Sequence, residues 1–127
     1  MSRILVIDDE EGIRNAIRRV LTLDGHEVTL ARDGLEGERI FRESPPDLVI
    51  TDIFMPGKEG IELAHDLLAD FPDIKIIVMS GGARMAEGDD LQFLLGVAEA
   101  TGARRVIEKP FELDELLLLT RSLLEND

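Results

Sequence analysis

The chain has 127 residues, 44% hydrophobic and 32% charged, with no cysteine; that is enough to close one core, and it excludes disulfides and thiolate metal sites. Fourteen Lys and Arg stand against 27 Asp and Glu, a net charge of −13, so a phosphate backbone would be repelled, and with no Trp or Tyr and only five Phe a base-stacking platform is not expected. No apolar run approaches the roughly 20 residues that span a bilayer, and "MSRILVIDDE" lacks a signal-peptide plan, so the expectation is a cytoplasmic protein with no membrane and no direct nucleic-acid contact.

Two periods alternate along the chain. Ile4-Leu5-Val6-Ile7 is a continuous apolar run, the mark of a strand covered on both faces. Ile13, Ala16, Ile17, Val20 and Leu21 then fall on one helical face, and Gly25 stands where a C-terminal cap belongs. "HEVTLA" reads as a second strand. Residues 34 to 43 read as a helix with Leu35, Ile40 and Phe41 inward, ended by Pro45-Pro46. Leu48 to Thr51 is the third strand. A helix over residues 60 to 70 follows, carrying Ile61, Ala64, Leu67 and Leu68, and Pro72 closes it. "IKIIVMS" is the fourth strand. Leu91, Leu94, Leu95 and Ala98 mark another helical face before Gly102, and "RRVIE" is a short fifth strand. The final helix has Leu113, Leu116, Leu117 and Leu123 inward. Five βα units in succession predict one α/β domain over residues 1–127, a doubly wound parallel sheet with helices on both faces and no output domain in this chain.

In such a sheet, ligands bind outside the carboxyl ends of the strands. Strand one ends in Asp8-Asp9-Glu10, strand three in Asp52, strand four in Ser80, and strand five in Lys109-Pro110. An acid closing a buried run is costly unless it is paired or coordinated. Carboxylates about 4 Å apart repel by roughly 4 kcal/mol per pair at an effective dielectric near 20. A single lysine does not relieve that, whereas a hard divalent cation does. The four strand ends therefore read as a Mg²⁺ site with a lysine and a hydroxyl ready for a phosphoryl group.

The chain resembles the response-regulator receiver domains of two-component signalling over essentially its whole length. The resemblance rests on "LVIDDE", "LVITDIFMPGKEG", "IIVMSGG" and "VIEKPF", in that order, each at a strand end. It implies a flavodoxin-like strand order of 2-1-3-4-5. It also implies that Asp52 is the phosphoacceptor and that Asp9, Asp52 and the backbone carbonyl of Phe54 ligate Mg²⁺, with Asp8 acting through a water. Lys109 and Ser80 would contact phosphoryl oxygens, and the Lys109-Pro110 bond would be cis. The implied partners are a histidine kinase or phosphotransfer protein and a downstream protein target, and the leucine-rich last helix allows a weak homodimer.

Some positions depart from the family pattern. Val106 stands where an aromatic residue usually precedes the lysine, which questions the usual hydroxyl-to-aromatic coupling. Glu59 replaces the common Asp, while Phe54 and Gly82 flank the expected path of attacking water. The 29 positions from Ser80 to Lys109 are several more than expected, with the surplus in residues 81–90. Taken singly, Asp52 reads as a turn or capping acid, Asp8-Asp9 as a solvated helix start, Ser80 as a loop hydroxyl and Lys109 as a surface lysine. Their meeting at one edge carries the reading. His26 and His65 read as ordinary surface or half-buried side chains. Two other functions compete: a Mg²⁺-dependent phosphohydrolase with an aspartyl nucleophile, and a degenerate receiver that only binds partners. The first lacks its usual first-strand acid spacing, and the second usually lacks one of the residues present here.

Overall fold

Residues 2–53, 60–81, 105–109 and 111–125 are described by a computed structural model. The apolar run at the start becomes β1 (Arg3–Ile7), followed by α1 (Glu11–Leu23), β2 (Glu27–Ala31), α2 (Gly34–Glu43), β3 (Leu48–Asp52), α3 (Gly60–Asp70), β4 (Lys75–Gly81) and β5 (Arg105–Lys109). A last helix, α4 (Leu113–Glu125), completes the described elements. The strands form one sheet in the order β2-β1-β3-β4-β5, with every pair parallel. This is the doubly wound order expected. The helical pattern at Leu91–Ala98, the stretch 82–90 and Pro110 lie outside the described residues.

Successive residues of a strand face opposite sides, and the sheet divides its apolar residues accordingly. Leu5, Ile7, Val49, Ile76 and Val78 pack under Phe41 of α2 and Leu63, Ala64 and Leu67 of α3. Ile4, Val6, Leu48, Ile50, Ile77 and Met79 pack under Ile17 and Leu21 of α1 and Leu116 and Leu123 of α4. β3 lies between β1 and β4 and is buried at all five positions. Full burial of one such side chain contributes about 1.5–3 kcal/mol, so the sheet is held from both sides.

The ends of the helices follow from local chemistry. Gly25 has φ +92°, the left-handed conformation that L side chains resist, and its N–H donates to the Thr22 carbonyl at 3.0 Å to stop α1. Asp33 opens α2, its Oδ1 accepting from the Glu36 N–H at 2.8 Å, while Glu36 Oε1 accepts from the Arg32 N–H at 2.7 Å. These reciprocal bonds satisfy donors that the first turn leaves over.

One expected core residue is corrected. Leu35 is 61% exposed. The inner side of α2 is instead formed by Gly34, Gly37 and Phe41. A Cβ on Gly37 would lie 2.4 Å from Ile7 Cδ1. The helix thus approaches the sheet through glycine, and Leu35, two positions away, is carried to the outer side. Strand five also begins and ends one residue later than "RRVIE", so that it includes Lys109. His65 is exposed, while His26 is half-buried with Nε2 3.3 Å from Asp24 Oδ2.

Candidate functional site

The carboxyl ends of β1 and β3 are brought level by their pairing. Ile7 is registered with Thr51, so the next residue on each strand path, Asp8 and Asp52, stands at the same height. Asp8 is completely buried, Asp9 is half-buried and Glu10 is exposed. One carboxylate oxygen from each of Asp8, Asp9 and Glu10 lies within 4.8 Å of the other two. Asp52 is buried at 6% exposure on the neighbouring strand.

The backbone holds these acids in place. The Asp8 N–H donates to the Ala31 carbonyl at 3.2 Å, tying the end of β1 to β2. Asp8 Oδ1 accepts from the Glu10 N–H at 2.8 Å, and the Asp8 carbonyl accepts from Arg14 Nη1 at 2.7 Å. A buried carboxylate that accepts a backbone N–H retains part of the solvation it has given up. Asp52 Oδ1 accepts from the Ile53 N–H at 2.9 Å, and the Asp52 carbonyl accepts from Thr51 Oγ1 at 3.1 Å. The orientation of the Asp52 carboxylate is thereby fixed by the chain that carries it.

Behind Asp52, the start of α3 comes very close. The Gly60 N–H donates to the Ile53 carbonyl at 2.7 Å. A Cβ at Gly60 would stand 2.0 Å from the Asp52 carbonyl oxygen. That obstacle is backbone, which cannot rotate away as a side chain can, so only glycine fits.

The other expected residues are reached through the sheet. Ser80 is the last residue but one of β4 and Lys109 closes β5, where Ser80 is registered with Glu108 and Gly81 with Lys109. All four strand ends singled out in the sequence thus emerge along one edge. Phe54, Glu59 and Gly82 lie outside the described residues. Val106 is partly buried and packs against the cluster shared by α2 and α3. A cleft of about 650 Å³ opens at the other end of the sheet, lined by Pro45, Pro46, Phe71, Pro72, Lys75 and Leu124 among others, away from the acids.

Two contributors escaped the sequence reading. Arg14 gave no signal beyond its helical position. Gly60 lay within "MPGKEG", where a glycine at the first position of a helix, a poor helix former, could have pointed to close backbone approach.

The acid cluster suits a hard divalent cation. Three carboxylates with oxygens within 4.8 Å of one another offer only oxygen ligands, the type that Mg²⁺ and Ca²⁺ take, and no softer donor is available from cysteine.

The strand order, with acids at the carboxyl ends of β1 and β3, defines a flavodoxin-like class of α/β domain. The response regulator receiver domain family matches residues 4–121 of the chain, and the chain belongs to that family. It is 35% identical over 122 residues to the response regulator MprA of Mycobacterium sp. (strain KMS), covering 96% of this chain and 50% of MprA. The chain therefore spans about half the length of the curated relatives it matches. Among solved structures, a response regulator receiver domain from Clostridium thermocellum is 31% identical with a TM-score of 0.86, covering 98% of this chain and 95% of that one. The receiver domain of NtrX from Brucella abortus is 30% identical with a TM-score of 0.85, covering 98% and 99%. The chain is thus a receiver domain of two-component signalling, and no described helix is long and apolar enough to cross a membrane.

Proposed function

We propose that Asp52 accepts a phosphoryl group from a phosphohistidine on a histidine kinase or phosphotransfer protein in the cytoplasm, and that the modified domain signals by contacting a downstream protein. The observation that carries this is the Asp52 carboxylate itself: buried at the end of a central strand, held through Oδ1 by the Ile53 N–H, and level with the Asp8–Asp9–Glu10 cluster. In the transfer, an Asp52 oxygen forms the new P–O bond as the P–N bond breaks, and the freed imidazole leaves with the bonding electron pair and takes up a proton. Hydrolysis returns the carboxylate and inorganic phosphate. The domain promotes both steps on itself and turns over no outside ester.

Phosphoryl transfer is mainly positioning and charge stabilisation. Asp9, Asp52 and the Phe54 carbonyl would hold Mg²⁺, with Asp8 acting through a water, and Glu10 lies close enough to join the outer shell. When bound, the cation neutralises charge on the phosphoryl oxygens. Lys109 and Ser80 would each take one of those oxygens, and the closeness of the β4 and β5 ends supports that assignment. The family membership disfavours the phosphohydrolase reading. The presence of acceptor, acid pair and lysine disfavours the degenerate receiver.

Incubation with Mg²⁺ and an acyl phosphate, read by intact mass, tests the proposal. The native chain is expected to gain one phosphoryl group, while Asp52→Ala and a chelated sample gain none. A folded native chain that gains nothing overturns the phosphoacceptor reading. Repeated turnover of a generic phosphate ester would favour the hydrolase.

A further inference from the structure

The acceptor strand ends on a hydrogen bond that is divided between two partners. The Ile53 nitrogen lies 2.9 Å from Asp52 Oδ1 and 3.0 Å from the Met79 carbonyl oxygen of β4. One N–H therefore serves two acceptors, a three-centre bond. Ile53 and Met79 are both fully buried, and in a setting of low dielectric the choice between acceptors counts for more than it would in water.

The donor is held so that only its acceptors can change. The Asp52 carbonyl, at the other end of the same peptide unit, accepts from Thr51 Oγ1 at 3.1 Å. Gly60 stands so close to that unit that a Cβ there would be 2.0 Å from its oxygen and 2.9 Å from its carbon. The Ile53 carbonyl in turn accepts from the Gly60 N–H at 2.7 Å. A planar peptide held at both ends keeps its N–H in place. The two acceptors differ in kind: a hydrogen bond to an ionised oxygen is roughly twice as strong as one to a neutral carbonyl. Asp52 Oδ1 therefore holds the larger share while its carboxylate is free, and the bond to Met79 is the weaker one. Met79 stands opposite Asp52 in the β3–β4 register, and its carbonyl belongs to the peptide unit that carries the Ser80 N–H. One strand further, Met79 is registered with Ile107 and Ser80 with Glu108.

We propose that Ile53 is a positioning residue whose N–H moves between these two acceptors with the state of Asp52. In the unmodified chain it orients the carboxylate. Once an Asp52 oxygen forms the P–O bond, the carboxylate charge is gone and Oδ1 is a neutral, weaker acceptor. The N–H then passes to the Met79 carbonyl and tightens the joint between β3 and β4 beside Ser80. The state of the acceptor thus reaches β4, and through its register β5, along the backbone. That route does not need the aromatic side chain whose place Val106 takes. The relay rests on Asp52 as the phosphoacceptor, whereas the competition beneath it does not and is tested on the unmodified chain.

The scalar coupling that NMR detects across a hydrogen bond, from the Ile53 amide nitrogen to the Met79 carbonyl carbon, reads the second bond directly. Asp52→Ala removes the first acceptor, and the coupling is expected to rise about twofold over the native chain, with the Met79 carbonyl resonance moved downfield. Asp52→Asn keeps the shape and loses the charge, so its coupling should fall between the two. The coupling from the Asp47 N–H to the Arg3 carbonyl, a 2.8 Å bond at the opposite end of the sheet, should not move, which separates the exchange of partners from a general loosening. The native chain kept with Mg²⁺ and excess acyl phosphate should show a rise like that of Asp52→Asn, in proportion to the fraction that intact mass shows to be modified. Equal couplings in the native chain and Asp52→Ala would overturn the competition, and a modified chain with an unchanged coupling would overturn the relay. A chain that takes up no phosphoryl group would overturn the reading of Asp52 as acceptor, and the relay with it, while the Asp52→Ala comparison would still decide the competition.

Discussion

At the scale of single residues, the acceptor edge depends on groups that do no chemistry. Gly60 has no room for a methyl group because the obstacle is the Asp52 carbonyl. Gly60→Ala is expected to destabilise the chain by about 1–3 kcal/mol through overpacking. It should also slow labelling of Asp52, since relief requires moving the strand end that aims it. Urea denaturation and the rate of mass gain, taken together, check both parts; normal stability with normal labelling would show that the approach is not needed. Arg14→Ala removes the donor to the Asp8 carbonyl and is expected to weaken Mg²⁺ binding while leaving the core intact, as titration calorimetry can measure. Asp52 was legible in the sequence because an acid terminates a buried run. Arg14 was not, because its bond is to a backbone carbonyl, and any helix places an arginine somewhere.

Among the elements, the helix ends set how α1, α2 and α4 sit. Asp33→Ala removes the α2 cap and is expected to cost about 1 kcal/mol, read from the shift in urea midpoint. The Asp24–Arg121 pair joins elements 97 residues apart. Its hydrogen bond to the Arg121 guanidinium, the largest cause, holds the Asp24 carboxyl below the usual carboxylate range. A carboxyl depressed on folding adds stability that is fully present above its unfolded pKa and is lost as pH falls through the folded value. The native chain should therefore lose stability below the ordinary carboxylate range more steeply than Asp24→Asn, in urea melts taken at successive pH values. Parallel curves would remove Asp24 from the account of acid sensitivity. Helix existence was readable from 3.6-residue periodicity, whereas the facing of α2 was not. Periodicity counts Leu35 as inward, but close packing through Gly37 leaves no apolar signal to count.

Across the whole molecule, two cores share one sheet, and the described helices divide between them, α2 and α3 over one and α1 and α4 over the other. Phe41 is fully buried, with its ring centroid 4.9 Å from that of Phe71 in an edge-on contact. Phe41→Ala is expected to cost about 3–5 kcal/mol, measurable by thermal or urea unfolding, and a cost below about 1 kcal/mol would mean that the α2–α3 side repacks freely. The strand order was legible because five βα units and right-handed crossovers leave few alternatives. The closeness of the strand ends follows from register, which no single-strand pattern reveals.

The end of the sheet opposite the acids is heavily tied. Arg3 donates to the Ser44 and Pro45 carbonyls and to Ser44 Oγ, while its own N–H is taken by Asp47. The buried Lys75 Nζ donates to the Leu123 carbonyl at 2.6 Å, and Arg121 joins Asp24 close by. These long-range fastenings link β1, β4, α1 and α4 at one pole, whereas the acid pole carries like charges that repel. Repulsion between like charges lowers the cost of local opening, and a counter-charge that binds there raises it. Amide hydrogen exchange should therefore grade along the strands, slowest at Ile4, Leu48 and Ile76 and faster toward Asp8 and Asp52. A cation or a phosphoryl group arriving at the acid pole would then flatten that gradient, so that the signal is stored as much in a change of breathing as in a change of shape.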